Sequence, residues 1–175
     1  MPADKQRKFI PVGIAVLTVS DTRTVQSDES GRIISTRLQD AGHILCDKKI
    51  VPDDIHTIRS VVANWSVDEK IHAIITTGGT GVTGRDGTPE AVAVLLDKEI
   101  TGFGEIFRAI SYEQIGTSTI QSRAVAGVIS GTFIFCLPGS PNACITAWDK
   151  IISLQLDYRT RPCNLVELMP RLLEK

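Results

Sequence analysis

The chain lacks a surplus of either charge: 19 Lys and Arg stand against 20 Asp and Glu, a formal net charge of −1. A protein that holds a polyanion by counterion release needs a basic field, so duplex nucleic acid is not an expected partner. Cysteine is sparse. Four residues lie at 46, 136, 144 and 163 with no C-x-x-C pair, and the three histidines at 43, 56 and 72 stand apart from them. That leaves no ligand spacing for a structural zinc. Cys46 and Cys136 fall within apolar runs that read as strands, where a thiol is expected to be a small buried hydrophobe. No apolar stretch reaches the ~18 residues of a membrane span. Lys5 to Lys8 followed by Phe9 to Val19 imitates the start of a secretory signal, but Pro11 and Gly13 interrupt the run and no A-x-A-like site follows. A cytoplasmic protein without a membrane partner is therefore expected. Internal repeats, low-complexity tracts and charge blocks are missing as well.

What is present is enough apolar material for a core. Leu, Ile, Val and Phe account for 52 of 175 residues, well above the roughly 20% below which chains stay disordered. The length suits one domain over 1–175, with a short flexible lead-in at about 1–8. Runs rich in Ile and Val predict strands at Val12 to Val19, Ile44 to Val51, His72 to Thr77 and Thr132 to Leu137. Between them, Ile33, Ile34, Leu38 and Ala41, and then Ile55, Ile58, Val61, Val62 and Trp65, recur at helical spacing. Thr88-Pro89 and Ser140-Pro141 each read as an N-cap followed by proline at the first helical position. Ile106, Phe107 and Ile110 suggest a further helix, with a face for core packing or a subunit contact. Gly116 to Ser130 reads as extended, in a loop or hairpin. The alternation predicts an α/β three-layer sandwich: a mainly parallel sheet, helices on both faces and a small β-hairpin.

In such sheets ligands bind beyond the carboxyl ends of the strands, and those ends carry a consistent chemistry. The first strand is followed by Ser20-Asp21 and, further on, Asp28-Glu29-Ser30-Gly31; the second by Pro52-Asp53-Asp54; the third by Gly78-Gly79-Thr80-Gly81 and then Arg85-Asp86; the fourth by Pro138-Gly139-Ser140. Gly, Ser and Thr loops entering helix N-termini leave backbone N–H groups free for phosphate. Carboxylates beside a phosphate would repel it unless a cation lay between them, and magnesium is commonly held by one or two carboxylates plus substrate phosphates. Asp28 and Asp54 are better explained as helix caps, and Asp86, with Gly, Arg and Gly around it, as functional. Gly79-x-Gly81-x-x-Gly84 imitates a dinucleotide fingerprint, but Arg85, Asp86 and Gly87 intervene before the helix, and no Lys-Ser or Lys-Thr follows for a Walker motif.

These residues fall into a known pattern. ThrValSerAsp at 18–21, SerGly at 30–31, ValProAspAsp at 51–54, ThrThrGlyGlyThrGly at 76–81 with Asp86, SerArg at 122–123 and ProGlySerProAsn at 138–142 run in order through nearly the whole chain. In this the sequence resembles the MoaB/MogA family of molybdopterin-binding proteins. GlyPheGlyGluIlePheArg at 102–108, the stretch 116–127 and the ending at 157–164 look more like its bacterial MoaB branch.

The resemblance implies a three-layer α/β fold, homo-trimers or hexamers, molybdopterin as ligand and other proteins of molybdenum cofactor biosynthesis as partners. It also implies a reaction, in which Mg²⁺, ATP and molybdopterin give adenylylated molybdopterin and pyrophosphate. Carried over, Asp86 and Asp53 become the catalytic residues and the carboxylates for the metal. Ser20, Asp21, Ser30, Gly31, Gly78, Gly79, Thr80, Gly81, Arg123, Pro138, Gly139 and Ser140 become binding residues, with Ser122 at the pterin's terminal phosphate. The missing histidine base fits, because an ionised phosphate nucleophile has no proton to lose and the work is positioning and charge neutralisation. One departure stands out, since Gly87 occupies a position that is usually β-branched in active relatives. The alternative expectation is a protein of the same pathway that binds or carries the pterin without turning it over.

Overall fold

The computed structural model describes residues 3–174. In chain order the elements are β1 (Gly13–Val19), α1 (Glu29–Asp40), β2 (Ile44–Val51), α2 (Ile55–Ser66), β3 (Ala73–Thr77), α3 (Thr88–Ala93), β4 (Lys98–Glu99), α4 (Thr101–Ile115), β5 (Val125–Ile129), β6 (Thr132–Leu137) and α5 (Pro141–Ala147). A 3-10 turn fills Gly116–Gln121, a π-helical turn Trp148–Ile152 prolongs α5, and a second 3-10 turn spans Val166–Arg171.

The six strands form one sheet in the order β2-β1-β3-β6-β5-β4. β2, β1, β3 and β6 are mutually parallel, while β5 and β4 run antiparallel to their neighbours. All seven residues of β1 are buried, as parallel strands covered on both faces should be. Alternate residues feed two cores. Ile14 and Val16 pack with Ile34, Leu38, Phe107, Cys144 and Trp148 on the face covered by α1, α4 and α5. Ala15, Leu17 and Val19 pack with Ile58, Val62, Trp65, Ala91 and Val92 on the face covered by α2 and α3. This is the expected three-layer α/β sandwich, and β5 with β6 is its hairpin.

Several local expectations change. Gly116 to Ser130 is extended only from Val125 to Ile129; its first part winds into the 3-10 turn. β4 was invisible in the sequence because its two residues are both charged, and pairing with β5 creates it. Cys46 is exposed, not buried. The β1–β2 register jumps from Ile14↔Leu45 to Ala15↔Asp47, so Cys46 is the unpaired residue of a bulge on an edge strand. Cys136, on the interior strand β6, is fully buried as expected.

Residues 3–8 lie against the end of the chain. Asp4 N donates to Arg159 O at 2.8 Å, Arg7 pairs with Glu167, and the Arg7 guanidinium sits 4.5 Å from the Tyr158 ring centre.

Candidate active site

The order in which strands are added reverses between the parallel strands β1 and β3: α1 leads away from β1 to β2 on one face, and α2 returns to β3 on the other. A crevice is required at this switch point, and four of the predicted residues line it. Ser20, Ser30, Gly78 and Gly139 line a small cavity of about 100 Å³ with Thr18 and Arg23. Ser30 Oγ donates to Gly139 O at 2.8 Å, and Thr77 Oγ1 donates to Pro138 O at 3.0 Å. The turns after β3 and β6 and the start of α1 are thereby tied into one rim. Ser140 caps α5, its hydroxyl accepting from Ala143 N at 3.2 Å.

Beneath the rim sits a buried carboxylate. Asp28 caps α1 by accepting from Gly31 N at 2.9 Å, and its Oδ1 also accepts from Thr18 Oγ1 at 3.0 Å. Lys48 Nζ, reaching over from β2, lies 2.8 Å from Asp28 Oδ2; the approach is electrostatic, outside directed hydrogen-bond geometry. Asp54 likewise caps α2 through Thr57 N at 2.7 Å. Both aspartates are helix caps, as read from the sequence.

The loop after β3 is shaped by two left-handed glycines. Gly78 has φ 103°, and a Cβ there would lie 2.1 Å from Val19 O; Gly79 has φ 64°, and a Cβ there would lie 2.3 Å from Thr88 Oγ1 and 2.7 Å from Asp53 Oδ2. Only glycine fits either position. Thr88 does not cap α3. That place belongs to Gly87, and the Thr88 hydroxyl donates to Gly78 O at 2.9 Å, pinning the glycine loop to the helix.

Three carboxylates border this loop. Asp53 Oδ1 accepts from Gly87 N at 3.2 Å, and Asp53 N donates to Asp21 Oδ1 at 3.1 Å. Arg85 Nη2 stands 2.7 Å from both oxygens of Asp21. Asp86 turns back on its own loop, its Oδ2 accepting from Thr83 N at 2.8 Å and Thr83 Oγ1 at 2.6 Å. Asp53 is held above the ordinary carboxylate range by partial burial, opposed by the Gly87 bond and reinforced by the charges of Asp86 and Asp21. Asp86 is held below it, chiefly by the Thr83 hydroxyl. A cation bound between these carboxylates would offset their mutual repulsion. Among the described residues, no group of three or more His, Cys, Asp or Glu side chains is placed to hold a metal by protein ligands alone. Two hard carboxylate donors completed by substrate phosphates suit magnesium, which demands no full protein cage.

Ser122 and Arg123 lie beside this cluster. They line a separate groove of about 540 Å³ with Thr101, Gly104, Glu105 and Arg108. Arg123 connects groove and loop, because its side chain bonds to the Thr80, Gly81 and Asp86 carbonyls. Sequence reasoning missed Thr83, Lys48 and Glu90, the last of which pairs with Arg123. A hydroxyl three residues before Asp86 was the available signal for Thr83; nothing local marked the other two.

Several known proteins are similar to this chain over most of its length. A family profile described as "Probable molybdopterin binding domain" matches residues 15–158. Molybdenum cofactor biosynthesis protein B of Escherichia coli is 52% identical over 157 residues, covering 90% of this chain and 92% of that one. The protein of the same name from Bacillus cereus is 43% identical over 163 residues, covering 91% and 96%. Among solved structures, one of molybdenum cofactor biosynthesis protein B superposes with a TM-score of 0.86 at 39% identity, covering 97% of this chain and 100% of that one. The tungsten cofactor synthesizing protein MoaB from Pyrococcus furiosus superposes at 0.72, again at 39% identity, covering 81% and 90%. With the family profile matching residues 15–158 and these relatives alike over nearly the full length, the chain belongs to the MoaB/MogA family of molybdopterin-binding proteins in molybdenum cofactor biosynthesis.

Proposed function

We propose that the protein adenylylates molybdopterin with Mg-ATP, releasing pyrophosphate. An oxygen of the pterin's terminal phosphate attacks the α-phosphorus of ATP; the α–β bridging P–O bond breaks, and its electron pair leaves with pyrophosphate. The observation that carries this reading is the placement of Asp53 and Asp86 on either side of the Gly79–Gly81 loop, joined through Gly87. A phosphate-receiving backbone without neighbouring carboxylates would suit simple binding; carboxylates set into it suit transfer between two polyphosphates.

The chain's own groups divide the work. The 78–81 loop and the 138–140 turn offer backbone around the switch-point cavity. Ser122, on the adjoining groove, would take the pterin's terminal phosphate. Asp53 and Asp86 would hold magnesium, which when bound offsets the charge that develops between the two phosphates. Partial burial raises the Asp53 carboxyl, and a bound cation there would favour its ionised form. Arg85 pairs with Asp21 and so keeps this third carboxylate from competing. No side chain needs to remove a proton.

A carrier that binds the pterin without turnover is the second reading. One observation favours it: Asp86 spends an oxygen on two Thr83 donors and must give up neither to serve as a static anchor. Incubating the protein with molybdopterin and Mg-ATP separates the two. Pyrophosphate and adenylylated pterin are expected; pterin binding without either product would replace the first reading with the second. The reading also carries a cytoplasmic homo-trimer or hexamer working with other proteins of the pathway. Sedimentation checks the assembly, and a monomeric mass would remove it.

A further inference from the structure

We propose that Arg123, oriented by Glu90, is a positioning residue that holds the Thr80–Asp86 loop in its phosphate-receiving shape rather than binding phosphate itself. The proposal deepens the adenylyl-transfer reading in its kinetic consequence and is independent of it in its structural one.

The loop has little order of its own. Between Gly79 and Thr88 its internal backbone bonds are Asp86 N to Thr83 O at 3.1 Å and the closing bond from Thr88 N to Gly79 O at 2.9 Å. From outside, Asp53 holds Gly87 N and Asp21 holds Arg85, and Arg123 ties the loop's carbonyls. Its Nε donates to Gly81 O at 2.7 Å and more weakly to Thr80 O at 3.3 Å, and its Nη2 donates to Asp86 O at 3.1 Å. Its own backbone N reaches Thr80 O at 3.3 Å. The two ends of the loop therefore meet on one guanidinium, which acts as a bracket across the Thr83–Asp86 turn.

Every nitrogen of that group is committed, because Nη1 faces the Glu90 carboxylate. Glu90 stands in the first turn of α3, immediately beyond the loop, so it fixes the rotation of the planar fork. The bracket has a firm base. Arg123 lies two residues before β5, which is paired along its length with the interior strand β6. A guanidinium presents donors in a rigid plane that a single ammonium cannot reproduce, so lysine should not replace it. Asp86 depends on the bracket through its own carbonyl, which accepts from Arg123 Nη2.

The test compares the full-length parent with Arg123→Ala, Arg123→Lys and Glu90→Gln. Amide hydrogen exchange is read over residues 80–87, with pterin affinity and pyrophosphate release measured beside it. Arg123→Ala should speed exchange across 80–87 by about tenfold or more while leaving β1 and β3 protected. Pyrophosphate release should fall in kcat by about tenfold or more, with pterin Kd moving less than about threefold. Millimolar guanidinium should restore part of both losses, Arg123→Lys should restore little, and Glu90→Gln should move both in the same direction by less. Unchanged exchange together with a collapse of pterin affinity would overturn the proposal and make Arg123 a phosphate ligand. If the parent releases no pyrophosphate, the adenylyl reading fails, and the exchange comparison still decides the role of Arg123. Should Arg123→Ala not fold, exchange in Arg123→Lys and Glu90→Gln decides it.

Discussion

Gly87 N donates to Asp53 Oδ1 at 3.2 Å, so the residue after Asp86 is the physical link between the two carboxylates expected to carry the chemistry. A Cβ at Gly87 would lie 2.9 Å from Ile55 Cγ1 and 3.7 Å from Asp53 Oδ1. The absence of a β-branched side chain here is matched by Ile55, which fills the space.

Replacing Asp86 with Asn keeps the shape and removes the charge. Pyrophosphate release should fall by about 10²–10³-fold, the scale of losing one preorganised electrostatic group. Pterin affinity should change by less than about threefold, read by fluorescence titration. A parallel loss of affinity would show that Asp86 serves binding rather than transfer.

Asp53→Asn should trade activity for stability. The Asp53 carboxyl is raised in the folded protein, so its ionisation opposes folding above that raised value, and the penalty vanishes once it is protonated in both states. The variant should melt higher than the parent at pH 7 by about 1–2 °C and no higher below the ordinary carboxylate range. Thermal scans from pH 3 to 7.5 would show the difference opening as pH rises, while pyrophosphate release is lost.

The glycine loop makes a paired prediction. Gly79→Ala forces a side chain into a left-handed position crowded by Thr88 and Asp53, and should cost about 1–3 kcal/mol in denaturant unfolding. Gly84→Ala meets nothing within 4 Å and should change stability by less than about 0.5 kcal/mol. Equal effects at the two sites would remove the steric argument.

Lys48→Met leaves the Asp28 carboxylate buried without its cation. A destabilisation of about 1–3 kcal/mol is expected, reduced from the cost of breaking a fully buried pair because Lys48 itself is partly exposed. Asp28→Asn in the same chain should recover part of it, measured as a double-mutant cycle by urea unfolding.

The native thiols should separate into two classes. Cys46 and Cys163 are exposed and should react with a maleimide. Cys136 and Cys144, whose thiols burial pushes up to about 12 and about 11, should react only on unfolding. Burial also raises the Cys46 thiol above its ordinary value, so its labelling should lag behind a free thiol and quicken with pH.

The parallel half of the sheet was legible because it is a property of runs. Ile44 to Val51 and Thr132 to Leu137 carry enough Ile, Val and Phe to announce strands whatever their neighbours. Ser140 was legible as a cap because its partner, Ala143 N, is three residues away. The departures come from partners that are distant in the chain. Cys46 is exposed at the point where β2 carries an extra residue against β1, β4 exists because β5 passes beside it, and Thr88 turns from capping to meet Gly78. In the site, aspartates and glycines announced themselves by type and order. Arg123 could be placed there by its SerArg motif, but its acceptors in the 80–86 loop follow only from the fold.

The Ser30 hydroxyl and the Gly139 carbonyl are 109 residues apart in the chain, and this has a consequence for how the protein is made. While the ribosome is still extending the polypeptide, β1, β2 and β3 can associate, yet their upper margin stays open until Gly139 has been released. Closing so long a span of backbone is entropically costly and slow compared with local pairing. Functional competence should therefore arrive late in biogenesis, and a nascent chain halted before Gly139 would lack one wall of the proposed ligand cavity.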